Sequence, residues 1–362
     1  MRVLIAPDSF GETLTAVQAA EAMAVGWAAA RPDDDIVRAP QSDGGPGFVD
    51  VISDTLGGLR ATRVDGPLDS GTDARWVLVD GVAYVESAQA VGLGLLGGPP
   101  TPESAIRAHS RGVGQLVAAA VDAGAKRIVI GLGGSCCTDG GRGMVAALGG
   151  LDRARQRLAG IDLVAATDVE HPLLGEHGAA RIFGPQKGAD EATVEVLEKR
   201  NAAWADELRA ACGRDVADLA GAGAAGGLGA ALLALGAVRE SGASVVARCT
   251  DQIGQVAASD IVITGEGKFD HQSLRGKLVT SLARVAADAG VPTVVIAGQV
   301  AVDRDTVRGA GIVAAFSIAD FAGSVERAMA EAAERLEALT SCVAGGWRGA
   351  SASAEFGPIH EE

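Results

Sequence analysis

The stretch at residues 128–150, IVIGLGGSCCTDGGRGMVAALGG, decides the fold. Its first three residues, all β-branched, read as a strand. They enter a turn in which only Leu132 separates Gly131 from Gly133 and Gly134, and a helical pattern follows at residues 143–148. Strand, glycine turn and helix form the unit of an open parallel sheet, and such sheets take ligands beyond the carboxyl ends of their strands.

The same succession recurs on both sides. VLIA at 3–6 runs into Pro7, Asp8 and Ser9; IVRA at 36–39 leads through Pro40 to Ser42, Asp43, Gly44 and Gly45. IVIT at 261–264 enters Gly265, Glu266 and Gly267, VVIA at 294–297 enters Gly298, and VAAF at 313–316 closes the series. Helical patterns cover residues 15–30, 274–289 and 325–339. The chain therefore reads as α/β. Residues 1–60 and 255–345 supply five strands, the number a flavodoxin-like parallel sheet of order 2-1-3-4-5 requires. Residues 61–254 then form a second α/β domain inserted into the first. It begins with a hairpin from WVLV at 76–79 and AYVE at 83–86. The two crossings would place a cleft between the domains. Residues 346–362 read as a flexible tail.

Composition narrows the class. The 362 residues carry 31 Lys and Arg against 46 Asp and Glu, a net charge of −15. That balance argues against a nucleic-acid-binding protein, which presents a basic face. A hydrophobic share of 48% excludes general disorder. The 51 glycines lack the three-residue period of collagen. No long uncharged apolar run predicts a membrane span, and the start, MRVLIAPDSF, lacks the apolar core of a signal peptide. A soluble cytoplasmic protein is expected. The five cysteines form no CxxC pair, so neither a zinc site nor a disulfide framework is indicated, and Cys136 and Cys137 read as buried free thiols. Lysine is rare beside arginine, so a retained Lys marks a place where a point charge serves and a planar fork does not.

Five turns concentrate the chemistry. The glycine turn after residue 130 offers freed backbone amides at a helix N-terminus, an arrangement that favours phosphate or carboxylate. SDGGPG at 42–47 sets Asp43 before two glycines at a strand end, where an Asx-turn is the structural alternative. ITGEGKFDHQSLRGK at 263–277 mixes acids that could hold a metal, Glu266 and Asp270, with cations that could hold phosphate, Lys268 and Lys277. AATDVEHPLLGEHGAARIFGPQKG at 165–188 carries Asp168 just past a strand, His171 and His177 in a loop, and Lys187 before Gly188. GAGAAGGLG at 221–229 precedes an apolar helix. Two GxGxxG matches, beginning at Gly92 and Gly221, open no βαβ unit, and neither a P-loop nor a GxSxG elbow occurs.

Taken in order, PDSF…TLTA, SDGGPG, GLGGSCCTDGGRGM, ATDVEHPLLG…GAARIFGPQKGA, GAGAAGGLGAALLA and VITGEGKFDHQSLRGK resemble the bacterial type of glycerate kinase, over residues 1 to 340. PQSDGGPGF and GLLGGPPTPE resemble an actinobacterial branch of that family. The resemblance implies two α/β domains, one inserted into a flavodoxin-like other. It also implies ATP-dependent phosphorylation of D-glycerate to 2-phosphoglycerate with Mg²⁺. No nucleic-acid or membrane partner is implied, and a homodimer stays open. Departures from the family pattern are Gly11 for Lys, Pro46 for a carboxylate, Phe48 for a hydroxyl, Thr138 for Asn, and a shorter segment after Leu148. They leave open another small hydroxy acid as acceptor, or a non-catalytic ligand-binding protein on this scaffold.

On this reading Asp168 is the first choice for accepting the hydroxyl proton, with Asp8 as the alternative. Lys187 and Lys277 would stabilise charge on the transferred group. Gly133, Gly134, Ser135, Asp139, Gly140 and Gly141 would form the nucleotide-phosphate site. Asp43, Gly44, Gly45, Ser273 and Arg275 would meet the substrate. Asp43, Asp139, Glu266 and Asp270 are the magnesium candidates.

Overall fold

The fold is taken from a computed structural model that describes residues 1–275 and 278–348. The tail expected at 346–362 lies, beyond Arg348, outside the described residues, as do Gly276 and Lys277 and the side chain of Arg275. Among the described residues the strands are β1 (Arg2–Ile5), β2 (Asp35–Arg38), β3 (Leu59–Asp65), β4 (Gly71–Val79), β5 (Val82–Glu86), β6 (Arg127–Gly131), β7 (Asp162–Ala166), β8 (Val238–Glu240), β9 (Ile261–Thr264), β10 (Lys268–Phe269), β11 (Thr293–Ala297), β12 (Gln299–Val300) and β13 (Ala314–Ser317). The chain forms two compact units, Met1–Ser42 with residues from Ala247 onward, and Asp43–Val246.

The first unit holds a parallel sheet of order β13-β11-β9-β1-β2. Counted along the unit, that is the 2-1-3-4-5 arrangement expected from the sequence. Val3 pairs with Ile36 on one side and Ile261 on the other. β9 and β11 are buried along their whole length, which is why IVIT and TVVIA are unbroken apolar runs rather than alternating ones. The helix Ala16–Ala30 starts at a capping box between Thr15 and Gln18 and buries Met23 and Trp27. The helical pattern at 325–339 is not one helix. Val325–Ala330 and Ala332–Gly346 are separated at Glu331, whose backbone leaves the helical region at φ −119°, ψ 34°. No Gly or Pro marks that break.

The second unit holds a six-stranded sheet, β3-β4-β5-β6-β7-β8, antiparallel across β3, β4 and β5 and parallel from β5 to β8. The β4–β5 hairpin turns on Asp80 and Gly81, both at positive φ (50° and 77°), the type I′ geometry that matches strand twist. The unit boundaries fall at 42/43 and 246/247, not at the expected 60/61 and 254/255. The first shift comes from the helix Phe48–Leu56. It buries Phe48, Val49, Val51 and Ile52, and the Phe48 ring lies 6.3 Å from that of Tyr84 on β5. The helix after β2 therefore covers the second sheet. Cys136, Cys137 and Cys212 are free thiols. Among the described residues no helix is long and apolar enough to cross a membrane.

Candidate active site

β6 delivers the chain into the glycine turn, and the turn rests on the loop at 43–47. Gly133 N–H donates to the Gly44 carbonyl at 3.1 Å, and a Cβ on Gly133 would collide with the Cα of Gly45. Only glycine permits this backbone-on-backbone approach. Two residues at the end of β5 hold both loops from below. Ser87 N–H donates to the Gly131 carbonyl (2.9 Å) and its hydroxyl to the Gly133 carbonyl (3.4 Å). Glu86 Oε2 accepts from the amides of Gly47 and Val49, each at 3.1 Å. Glu86 is 2% exposed. Burial pushes its carboxyl up to about 7, with the Asp50 carboxylate acting the same way and the two amides opposing.

Beside these loops the second unit has an open cavity of about 650 Å³ lined by Asp43, Gly133, Thr167, Asp168, His171 and His177, among others. Asp43 and Asp168 are both exposed. Asp43 Oδ1 accepts from Gly45 N–H at 2.9 Å, so the Asx-turn forms as well. Thr167 is buried, donates its N–H to the Glu240 carbonyl, and accepts at Oγ1 from Val169 N–H (3.1 Å). Those bonds fix the turn that carries Asp168 out of β7. His171 Nδ1 lies 3.0 Å from the His177 carbonyl, and its ring meets Phe183 edge-on. Both histidines are loop residues, as their spacing suggested.

Several expected site residues have other tasks. Asp139 was expected to hold magnesium and phosphate. Instead its carboxylate is buried and accepts from Gly141 N–H (3.1 Å), Gly143 N–H (2.9 Å), Ser110 N–H (2.8 Å) and the Ser110 hydroxyl (2.9 Å). It anchors the start of the helix Arg142–Ala147. Gly140 and Gly141 do not offer free amides to a nucleotide either. Gly140 N–H donates to the Gly226 carbonyl at 3.0 Å, and Gly141 N–H is one of Asp139's donors. Lys187 was expected at the transferred group. It is 3% exposed, and its ammonium donates to Ser135 Oγ (2.9 Å) and the Cys137 carbonyl (2.7 Å). Burial pushes its pKa down, opposed by Cys137, Cys136 and Asp139. Ser135 is thereby also engaged within the turn, while Gly134 is exposed. Burial pushes the Cys136 thiol up to about 11 and raises Cys137 as well, as inert buried thiols require.

The helix Glu191–Cys212 grips the same turn at successive points. Arg200 donates to the Thr138 carbonyl (2.6 Å), Trp204 Nε1 to the Gly140 carbonyl (2.8 Å), and Glu207 accepts from Arg142 (2.9 Å). GAGAAGGLG breaks the helix Ala224–Ala234 at Ala225, Gly226 and Gly227, all at positive φ, and a Cβ on Gly226 would collide with the Cys137 carbonyl. Sequence reasoning missed Ser110, Arg200 and Trp204, which lie far from the turn in sequence. It also passed over Glu86 and Ser87, although the strand-end rule that selected Asp43 and Asp168 applies equally to them.

In the first unit, Asp8 and Glu266 stand at the carboxyl ends of β1 and β9, where such sheets take ligands. Asp8 N–H donates to the Gly265 carbonyl (2.8 Å), and its Oδ1 accepts from Ser9 N–H (2.7 Å). Asp270 and Ser273 close a tight turn on each other. Asp270 Oδ1 accepts from Gln272 N–H (2.7 Å) and Ser273 N–H (3.4 Å), and Ser273 Oγ accepts from Asp270 N–H (3.2 Å). Ser273 is fully buried and shapes that turn. Arg275's side chain and Lys277 lie outside the described residues. Among the described residues no three His, Cys, Asp or Glu side chains converge on a metal position.

Comparison with known proteins supplies context. The model described as "Glycerate kinase family" matches residues 3–153 and 150–348. Glycerate 2-kinase of Escherichia coli (strain K12) is 39% identical, over 91% of this chain and 93% of its own. Glycerate kinase of Bacillus subtilis (strain 168) is 40% identical, over 93% and 95%. A Mycobacterium tuberculosis protein (strain CDC 1551 / Oshkosh), described as uncharacterized, is 58% identical over 95% and 91%, in keeping with the actinobacterial wording of the motifs. A crystal structure described as "putative glycerate kinase 2 from Salmonella typhimurium LT2" superposes with a TM-score of 0.76 at 33% identity, over 95% of this chain and 97% of that one.

Proposed function

The chain belongs to the glycerate kinase family, and on that premise we propose that it transfers a phosphoryl group from ATP to glycerate, giving 2-phosphoglycerate. The observation that carries the proposal is the cavity in which two strand-end carboxylates, Asp43 and Asp168, meet the glycine turn at Gly133.

Phosphoryl transfer asks a protein for positioning, charge neutralisation and a base near the attacking hydroxyl. Asp168 suits the last task. It is exposed to the cavity on a turn fixed from below by Thr167. A glycerate hydroxyl within hydrogen-bond reach would pass its proton to this carboxylate as its oxygen bonds the γ-phosphorus and the bond from that phosphorus to ADP breaks. The exposed Gly134 and the backbone beside it present the least committed part of the turn to the phosphates. Asp43 is a hard oxygen donor, and one carboxylate completed by water and phosphate oxygens is a set Mg²⁺ takes; the ion would neutralise phosphate charge there. ATP as donor fits a cytoplasmic place for the reaction.

The test is ADP release from Mg-ATP with D-glycerate, with NMR of the product to separate 2- from 3-phosphoglycerate. Asp168→Asn should lower kcat by about 10²-fold or more and leave the fold intact. Background ADP release with glycerate and with a panel of small hydroxy acids would remove the proposal.

A further inference from the structure

We propose that Glu86 is a positioning residue: from beneath the loop at 43–47 it sets the place of Asp43 in the cavity wall. Helices usually begin with a side chain that accepts from the second or third amide. The helix Phe48–Leu56 begins at Gly47 (φ 95°), which has no side chain for that purpose. Glu86 reaches across from β5 and supplies the missing acceptor, taking both the Gly47 and Val49 amides on one oxygen. The loop so held carries Asp43, and its Gly44 carbonyl receives Gly133 N–H. Ser87, the next residue, holds the opposite loop at Gly131 and Gly133. One strand end therefore sets the spacing between Asp43 and the glycine turn.

A buried carboxylate is a costly way to cap a helix, and it gives the hold a pH dependence. The groups facing Glu86 are Asp50 from the helix, itself paired with Arg75 of β4 at 2.8 Å, and Gln89 from the segment after β5. Burial and Asp50 together bring the carboxyl to about 7. Hydrogen bonds to an ionised acceptor are roughly twice as strong as neutral ones. Here desolvation outweighs them, so ionisation favours any opening that lets the carboxyl reach water: proton loss above neutrality loosens the loop, and proton uptake below it tightens the loop.

The experiment is amide exchange at Gly47 and Val49 between pH 6 and 8, corrected for intrinsic exchange, in the wild-type chain, Glu86→Gln and Glu86→Ala. Wild-type protection should fall about tenfold across that range, the linkage expected of a carboxyl at about 7 in the closed loop and 4.5 in water. Glu86→Gln keeps the shape without the titration and should show no fall. Glu86→Ala should lose the protection. A wild-type fall that persists in Glu86→Gln, or full protection in Glu86→Ala, overturns the proposal; Glu86→Gln alone decides if the alanine variant does not fold. The consequence for turnover rests on the kinase reading: kcat/KM for glycerate should lose its inflection near pH 7 in Glu86→Gln. Absence of turnover in the wild type would count against that reading, while the exchange data would still judge Glu86.

Discussion

The Lys187 ammonium donates to the hydroxyl of Ser135 at 2.9 Å, 52 residues away, from a site that is almost wholly buried. A lysine so placed braces the glycine turn from within. Lys187→Met should strand Ser135 Oγ and the Cys137 carbonyl, costing about 1–3 kcal/mol in a urea melt. Lys187→Arg should not rescue, because a planar fork does not fit a pocket shaped for a point charge. Equal stability of Lys187→Met and the wild type would show that the brace is dispensable.

Asp139 separates two accounts of the same motif. As the anchor of four hydrogen bonds, it should cost about 3 kcal/mol or more when replaced by Ala. Asp139→Asn should also destabilise, since an amide nitrogen would face N–H donors. A magnesium ligand would behave differently: its loss would spare stability and alter the Mg²⁺ dependence of turnover. Thermal melts with and without Mg²⁺ distinguish the two.

Glu86 links stability to pH with a definite sign. Its carboxyl lies at 4.5 when unperturbed and about 7 in the folded chain. Between those values the unfolded chain has lost the proton and the folded chain retains it. Stability therefore falls as pH rises from about 4.5 to 7, by about 3 kcal/mol in all. The cost is the desolvation of a charge, and the same sign governs the local hold on the loop. Glu86→Gln should remove this slope when its denaturation midpoints are compared with those of the wild type from pH 5 to 8.

Two glycines of similar conformation should respond differently. Gly226 has φ 67°, and a Cβ there would meet the Cys137 carbonyl; Gly11 has φ 59° and nothing within 4 Å of a Cβ. Gly226→Ala should cost several kcal/mol and disturb the turn, whereas Gly11→Ala should cost about 1–2 kcal/mol, the left-handed backbone alone. Paired urea melts check the contrast.

These contrasts mark where the sequence was legible. The first sheet was, because its strands are short β-branched runs that end in Gly, Asp or Pro, and burial on both faces writes itself as an unbroken apolar run. The cavity at Asp43 and Asp168 was reachable from the same strand-end rule. The allegiance of the helix Phe48–Leu56 was not, since an apolar helix face packs on either sheet with the same pattern. Asp139 and Lys187 look alike in sequence whether they face a ligand or their own backbone. What decides is Ser110, 29 residues before Asp139, and Ser135, 52 before Lys187.

The most direct test of the central claim is the rate of ADP release from Mg-ATP and D-glycerate, measured side by side for the wild type and Asp168→Asn. The account predicts glycerate-dependent turnover in the wild type, a fall in kcat of about 10²-fold or more in the variant, and unchanged melting of the two proteins. Turnover that survives Asp168→Asn, or a wild type that releases no ADP with glycerate, would contradict it.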